Sequence, residues 1–473
     1  MSNNAIAGLK LPDTTEASHA TKISADELLY ELVEICIEHK ISPQRAIVEY
    51  AKKVLKDRQY QIYLGGSAFT ALMNNPIDFL MTRIIKVNYG QNEKLIVGSA
   101  FHEGTKYLYT FIKENKKVPS LLSCFKEIVK SVNKNYSFIR PDLIKEHSSK
   151  SLRHEAMKLF ATYYYEKARA NVEVLLVEEF MSLPTPAGML KNQEFSRKII
   201  LSVTPDLVTL ENRTLYIKDH KTSSLPIRGK VEPDEKYLKL KDDISTLESE
   251  KSALLKTVDK YKLMPEKLKE EMLKLTTTSA KIHLAEVNKK PTTALNKSKD
   301  KSERVILELR EKLEKRDECN HRLQEIEVEL TELQEIFEPI KSEFLKEQHI
   351  ADTLECRKKH SNQLSFYAQI FLIKKSAMYK DQFDRIVLQI ENTVKNVKPY
   401  VQTFEWELDD REFRRSAELY QSAVSTVELL LDGSVSPLIL FKHSTEAFIG
   451  DDTNKFIDEM NQIIYKRESG LVA

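Results

Sequence analysis

Leu323, Ile326, Leu330, Leu333, Phe337, Ile340 and Phe344 follow one another at alternating steps of three and four residues. This heptad seam constrains the fold more than any other pattern in the chain. Apolar residues recurring every 3.5 positions form a stripe along a helix, and only a partner helix can cover it. The seam lies in residues 230–347, a stretch rich in Lys, Glu and Leu and without a single glycine. Ile244, Leu247, Leu254, Val258 and Tyr261 form a looser matching stripe, which Pro265 interrupts. Thr276 to Ser302, with Pro291 and several Thr and Lys residues, reads as a tip. The pattern predicts an antiparallel coiled-coil hairpin, with arms of about 40 residues that reach roughly 60 Å at 1.5 Å per residue.

Globular patterns flank this arm. A chain of 473 residues, 41% of them hydrophobic, exceeds a typical single domain and can bury a sizeable core. Eleven glycines and one tryptophan point to a helix-rich protein. Residues 1–23 are polar and aperiodic, which suits a flexible tail. Ser24 and Glu27 have capping-box spacing, and helical periodicity continues to Asp57. Gly65-Gly66 breaks the chain, Ser67 is a helix-cap candidate, and Asn74-Asn75-Pro76 makes a turn. A helix opens again at Gly98 to Glu103, which puts His102 at a helix start. Another spans 151–170 and carries Tyr163, Tyr164 and Tyr165; these rings either pack in a core or stack on unpaired bases.

From Asn171 the period changes to two. Val172, Val174 and Leu176 begin a strand, and Pro184, Pro186 and Gly188 form a loop. Further strands are expected at 195–203, 207–210 and 214–218, with Asn212 as a turn residue. After the arm come a helix over 350–380, strands over 385–390 and 401–408, and an amphipathic helix over 410–432. The expected class is α/β: a small mixed central sheet flanked by helices, built from 24–229 and 348–473, with 230–347 inserted as the arm.

The formal net charge is +2, although 30% of residues are charged. A near-neutral total argues against a protein that coats DNA with basic surface. It leaves a local groove free to bind nucleic acid. Cys36, Cys124, Cys319 and Cys356 are far apart and form no Cys-x-x-Cys pair, which reads as reduced thiols. The N-terminus lacks a charged-then-apolar signal pattern, and no run approaches the ~18–20 apolar residues of a membrane span. A soluble cytoplasmic protein is expected, without membrane contact.

The chemistry concentrates in IILSVTPDLVTLENRTLYIKDHKTSS. Asp206 follows an apolar run, and Thr214 to Ile217 lead into Asp219-His220-Lys221. Two carboxylates and a lysine at the ends of adjacent strands suit metal-dependent phosphodiester cleavage. The carboxylates hold a divalent cation against the phosphate, and the lysine orients or deprotonates the attacking water. Asp219 and Lys221, two residues apart, face one side of a strand. The competing reading is a surface hairpin whose strands stop in charged residues.

Pro205-Asp206 followed by Asp219-x-Lys221 resembles the PD-(D/E)XK nuclease superfamily, and flanking features resemble its RecB-like branch. The resemblance covers residues 60–225 and 350–435. It implies a restriction-endonuclease-like core and a DNA exonuclease of recombination, repair or phage DNA processing, acting in the cytoplasm or in a phage host's cytoplasm. It implies Mg²⁺ or Mn²⁺ held by Asp206, Asp219, the main-chain carbonyl of His220, and His102 in a Gly-x-x-x-His helix start. Neutral imidazole suits Mn²⁺ better than Mg²⁺. Glu103 points about 100° away around the helix.

Glu178 and Glu179 end a strand at the place of an assisting carboxylate. Alternation lets one face the site, and Glu178 is the candidate. Gln363 and Tyr367 resemble the branch's Gln-x-x-x-Tyr motif, sharing a helix face to reach phosphate oxygens or hold the lysine. Thr222 and Ser223 bind phosphate or cap the next segment. Ser67 and Pro76 resemble the family's N-terminal Ser-to-Pro helix segment. Relatives with an iron–sulfur cluster carry three clustered downstream cysteines; this chain does not, so no iron–sulfur cluster is expected. The arm departs from the minimal family pattern. Such arms are structural or bind partner proteins, and its lysines, which would suit DNA, are matched by glutamates. Two other classes stay open: a catalytically inactive DNA-binding or partner-recruiting protein on a nuclease fold, and a coiled-coil scaffold with an incidental Asp-x-Lys.

Overall fold

A computed structural model describes residues 25–57, 61–74, 76–87, 92–139, 148–185, 190, 198–379, 381–432 and 451–469. The expected tail over 1–23, the Ser24 cap, Asn75, the loop residues Pro186 and Gly188, and the strand start at Phe195 lie outside these residues. The chain is mixed α/β, dominated by helix, and packs as two compact units. Residues 1–227 and 353–473 make one; Arg228–Asp352 make the other.

The first unit begins with α1 (Ala25–His39), α2 (Pro43–Asp57), β1 (Ile62–Leu64), α3 (Gly66–Asn74) and α4 (Pro76–Phe79), which runs into a π-helical turn at Leu80–Ile85. Then come α5 (Glu93–Asn115), α6 (Leu121–Tyr136), α7 (Ser149–Lys167), β2 (Glu173–Val177), β3 (Met181–Pro184), β4 (Ile199–Val203), β5 (Leu207–Glu211) and β6 (Thr214–Ser223). The second unit holds α8 (Glu235–Lys260), α9 (Met264–Val287) and α10 (Thr293–Tyr379) up to Asp352. The first unit resumes with the rest of α10, β7 (Arg385–Val394), β8 (Tyr400–Glu407), α11 (Asp410–Asp432) and α12 (Asp451–Glu468). No helix among the described residues is long and apolar enough to cross a membrane.

Two small sheets result, in the orders β1-β4-β3 and β2-β5-β6-β7-β8. The β5–β6 hairpin closes at Asn212 and Arg213, with φ of 47° and 58°. Positive φ at both positions marks a two-residue turn whose twist matches the strands it joins. Asn212 accepts that conformation readily. Arg213 is tied down instead, its guanidinium donating to both oxygens of Asp384 at 2.6 and 2.7 Å. β6 then runs parallel to β7 over ten pairs, from Thr214↔Arg385 to Ser223↔Val394. A parallel pair needs a crossover, and the chain between these strands carries the whole second unit.

Apolar packing covers both faces of the five-stranded sheet. On β5, Leu207 joins the cluster of Phe101, Ile128, Phe160 and Tyr163 from α5–α7, while Val208 joins the cluster of Leu215, Leu364, Phe371 and Leu388. β6 and β7 are therefore buried along most of their length. Lys218, Asp219, His220, Gln389 and Glu391 are carried inside with them.

Three expectations change. The strand expected to stop at Lys218 continues to Ser223, so Asp219-His220-Lys221 lies within it, because β7 keeps pairing alongside. Helix α5 starts at Glu93, not Gly98. Asn92 Oδ1 accepts the Leu95 N–H at 2.9 Å as its cap, and His102 sits in the third turn. Ser67 does not cap α3, which begins at Gly66; its hydroxyl accepts from Arg83 at 3.2 Å. Strands β1 and β3, three and four residues long, had no period to announce them.

In the second unit, α8 and α9 run antiparallel to α10. The Tyr237 ring lies against Phe337 and Phe344, Arg322 pairs with Glu250, Lys251 with Glu327, and Ser302 donates to Glu271. Ile326, Leu330 and Phe337 of the seam are buried. The stripe also runs into the expected tip, where Ile282 is buried, and resumes just beyond it at Ile306 and Leu309, so the turn is only Asn288–Thr292. Pro265 opens α9 instead of breaking a helix; there its missing N–H costs nothing. The unit is also longer than 230–347. Gly229 N–H donates to Asp352 at 2.8 Å, and Gln348 donates to both Gly229 O and Asp352. A Cβ on Gly229 would lie 2.3 Å from the Ala351 carbonyl.

Gly104 is where α5, which carries His102, meets α6 and α7. An added Cβ would sit 2.8 Å from the Phe160 ring and 2.9 Å from Ile128 Cδ1, both fully buried. Alanine would return about 1 kcal/mol of helix propensity. The overlap costs about 1–3 kcal/mol. Gly104→Ala is expected to lower stability by up to about 2 kcal/mol in denaturant unfolding; a stabilised variant would contradict this packing.

Candidate metal centre

The Leu207↔Lys218 register puts Asp206, just before β5, beside Asp219 of β6. Asp206 Oδ2 accepts the His220 backbone N–H at 2.6 Å and lies 3.6 Å from His102 Nδ1. Lys221 Nζ is 2.6 Å from Asp219 Oδ2, an ion pair poorly aligned as a hydrogen bond. From α10, the Gln363 amide reaches within 3.5 Å of Asp219 Oδ1 and donates to Tyr367 Oη at 2.6 Å. Asp206, Asp219, Lys221, His102, Gln363 and Tyr367 thus come together from four elements. Gly66 allows the approach: a Cβ there would lie 2.6 Å from Gln363 Cγ.

The electrostatics suit a cation. Burial, then the charge of Asp219, pushes the Asp206 carboxyl up to about 7. Burial, then His220, holds the His102 imidazole down at about 4, so it is neutral. Burial opposes the charge on Lys221, but Asp219 and Asp206 outweigh it and raise its pKa above the ordinary lysine value. Lys221 is therefore an ammonium donor rather than a base. Two close carboxylates, with a neutral imidazole beside Asp206, want positive charge.

Glu178 reaches the site by a different route from strand alternation. β2 stops at Val177, and Glu178 turns with φ 44°. Its N–H donates to Asp206 O at 3.1 Å and its carboxylate pairs with Lys106 at 3.1 Å. Burial raises its pKa, and Asp206 adds to the effect against Lys106. Glu179 turns to Lys375 instead, at 2.7 Å. Ser223 donates to Leu225 O at 2.7 Å, whereas the next helix is capped by Asp234. Thr222 Oγ1 faces α5, 3.5 Å from where a Gly98 Cβ would stand. Tyr367 is buried, so its hydroxyl braces Gln363 from within rather than meeting a phosphate. All four cysteines are free and buried.

By sequence, His220 was expected to contribute only its carbonyl. Its side chain is 1% exposed and lies at the end of a buried polar chain. Nε2 is 3.2 Å from Glu391 Oε2 and 3.0 Å from Tyr163 Oη. Tyr163 donates to Glu391 at 2.5 Å, and Tyr109 Oη is 2.8 Å from Tyr163 Oη. Glu391 faces His220 in the β6–β7 register. Burial works against its charge, but the His220 bond wins and holds its pKa down at about 2. His220 rises above the ordinary value because Glu391 outweighs its burial. Among the described residues, His220 Nδ1 has no hydrogen-bond partner. One ligand atom each from His102, Asp206 and His220 lies within 4.8 Å of the others. A glutamate inside the apolar run IVLQIENTV was the available signal for this chain. The tyrosines divide: Tyr163 enters it, Tyr164 donates to Pro119 O, and Tyr165 is exposed.

Asp206 gives the site a pH signature. Between its ordinary 3.8 and about 7, the folded state holds a proton that the unfolded chain has released. Metal-free stability therefore loses a contribution as pH rises through that window. Asp206→Asn should flatten this fall in melts at pH 5 and 8 with chelator present. Because a cation must displace the same proton, Mn²⁺ should raise the melting temperature more at pH 8 than at pH 6. Equal shifts at both would argue against Asp206 as a ligand. Neither a protein-family model, nor a characterised protein, nor a solved structure matches this chain.

Proposed function

We propose that the chain is a Mg²⁺- or Mn²⁺-dependent DNA nuclease, an exonuclease of DNA recombination, repair or phage DNA processing, acting in the cytoplasm. The observation that carries the reading is the convergence of Asp206, Asp219 and Lys221, with His102 3.6 Å from Asp206. The topology supports it. A mixed sheet flanked by helices carries the site: β2, β5 and β6 pair antiparallel, and β7 joins β6 in parallel after helix α10.

The donor set is carboxylate oxygen and neutral imidazole, which fits Mn²⁺ well and Mg²⁺ acceptably. Asp206, Asp219 and His102 would hold the ion. When bound, it supplies Lewis-acid polarisation of the scissile phosphate. Lys221, charged and fixed against Asp219, aims its remaining N–H donors at the attacking water and at the charge that develops on phosphorus oxygens. Gln363 keeps Asp219 in place from α10, with Tyr367 behind it. Glu178, turned in beside Asp206, adds a carboxylate near the water. The arm would bind a protein partner, and the first unit DNA.

The test is hydrolysis of end-labelled linear and circular DNA, single- and double-stranded, with Mg²⁺ or Mn²⁺. Asp219→Ala and Lys221→Ala should each cut the rate by about 10²–10³ or more while leaving circular dichroism unchanged. Equal cleavage by wild type and both variants would sink the assignment. Binding without cleavage under both metals would leave a DNA platform in its place.

A further inference from the structure

We propose that the His220 side chain is itself a ligand of the cation, through Nδ1, and that Glu391 and Tyr163 are positioning residues that hold its ring for this purpose. The inference rests on the divalent-cation site proposed above, and not on DNA cleavage. It adds a second imidazole to the site of Asp206, Asp219 and His102, and more nitrogen donors favour Mn²⁺ over Mg²⁺.

Three observations carry it. First, His220 Nδ1 is a buried polar atom without a hydrogen-bond partner among the described residues. Buried polar atoms are nearly always hydrogen-bonded, so such an atom calls for an explanation. Second, one possible ligand atom each of His102, Asp206 and His220 lies within 4.8 Å of the others. Ligands at about 2.0–2.1 Å from a small divalent cation stand roughly 3–4 Å apart, so a short inward movement closes the set.

Third, the ring is set in the tautomer a ligand needs. Tyr163 gives its proton to Glu391 at 2.5 Å, so at 3.0 Å its oxygen is left to accept from His220. Glu391 Oε2, 3.2 Å away, also accepts. Both demand the ring proton on Nε2. With Nε2 holding its proton, it is Nδ1 that releases a proton to make room for a cation, and the lone pair is then on Nδ1. A carboxylate that orients a metal-ligating histidine from behind is the arrangement that fixes such ligands elsewhere. Strand alternation adds a consequence: His220 points away from Asp219 and Lys221, so its ligation leaves their ion pair intact.

Pulsed electron paramagnetic resonance on the Mn²⁺-loaded full chain counts the imidazole nitrogens bound to the ion. Two are expected in wild type. His102→Gln, at a partly exposed position, should retain one. A single nitrogen in wild type and none in His102→Gln would overturn the inference, and would do so even if Mn²⁺ supports DNA cleavage. Failure of wild type to bind Mn²⁺ at all would remove the metal site and this ligand together. Glu391→Gln should weaken Mn²⁺ binding about 10–100-fold by calorimetry, with the second nitrogen signal diminished; unchanged affinity and an unchanged signal would remove Glu391 from its positioning role. Mg²⁺ at equal concentration should leave the Mn²⁺ signal in place, and its displacement would overturn the metal preference.

Discussion

The parallel pairing of β6 with β7 is the constraint on which the rest of the structure depends. It joins segments separated by the whole second unit, and it extends three residues beyond Asp219-His220. Without it β6 would end as a hairpin edge, and its charged residues would meet water. With it, Asp219 and His220 sit in the interior between apolar clusters on both sheet faces. Burying charge is expensive unless each group finds a partner. The arrangement answers that demand twice, with Lys221 against Asp219 and with Glu391 against His220.

Those two answers differ chemically. Lys221 lies on the open side of its strand and keeps donors to spare. His220 is sealed in, and its partners run inward through Glu391 to Tyr163 and Tyr109. One strand therefore presents an ammonium on one face and a braced imidazole on the other. Asp206 stands between them, bonded to the His220 backbone and near His102. Its raised pKa is the physical trace of a place where positive charge is wanted.

Much of the fold could be read from periodicity. The heptad stripe specified a hairpin because no other geometry covers it, and Ile326, Leu330 and Phe337 are buried against it. The hairpin's turn is shorter than composition suggests: Thr and Lys residues in 276–302 look like loop, whereas Ile282 within that stretch and Ile306 and Leu309 just past it continue the stripe. Helix α5 begins before the sequence announces it, because Gly98 reads as a breaker and the Asn92 cap six residues earlier has no distinctive neighbours. Short β1 and β3 contain too few residues to show a period.

For the site, Asp206, Asp219 and Lys221 were legible because their spacing across a tight hairpin brings them together by local geometry alone. Gln363 and Tyr367 were legible as a pair, i and i+4 on one helix, but not as neighbours of Asp219. The sequence by itself determined the β5–β6 hairpin, the coiled-coil stripe and the charged triplet, since each depends on residues close in the chain. The tertiary structure alone decided that Glu391 and Tyr163 stand behind His220, that Glu178 turns inward while Glu179 turns out, and that Asp219 and His220 are buried. Those outcomes depend on which distant strand pairs with β6 and which helix covers it, and no local period encodes a pairing across so long an insertion.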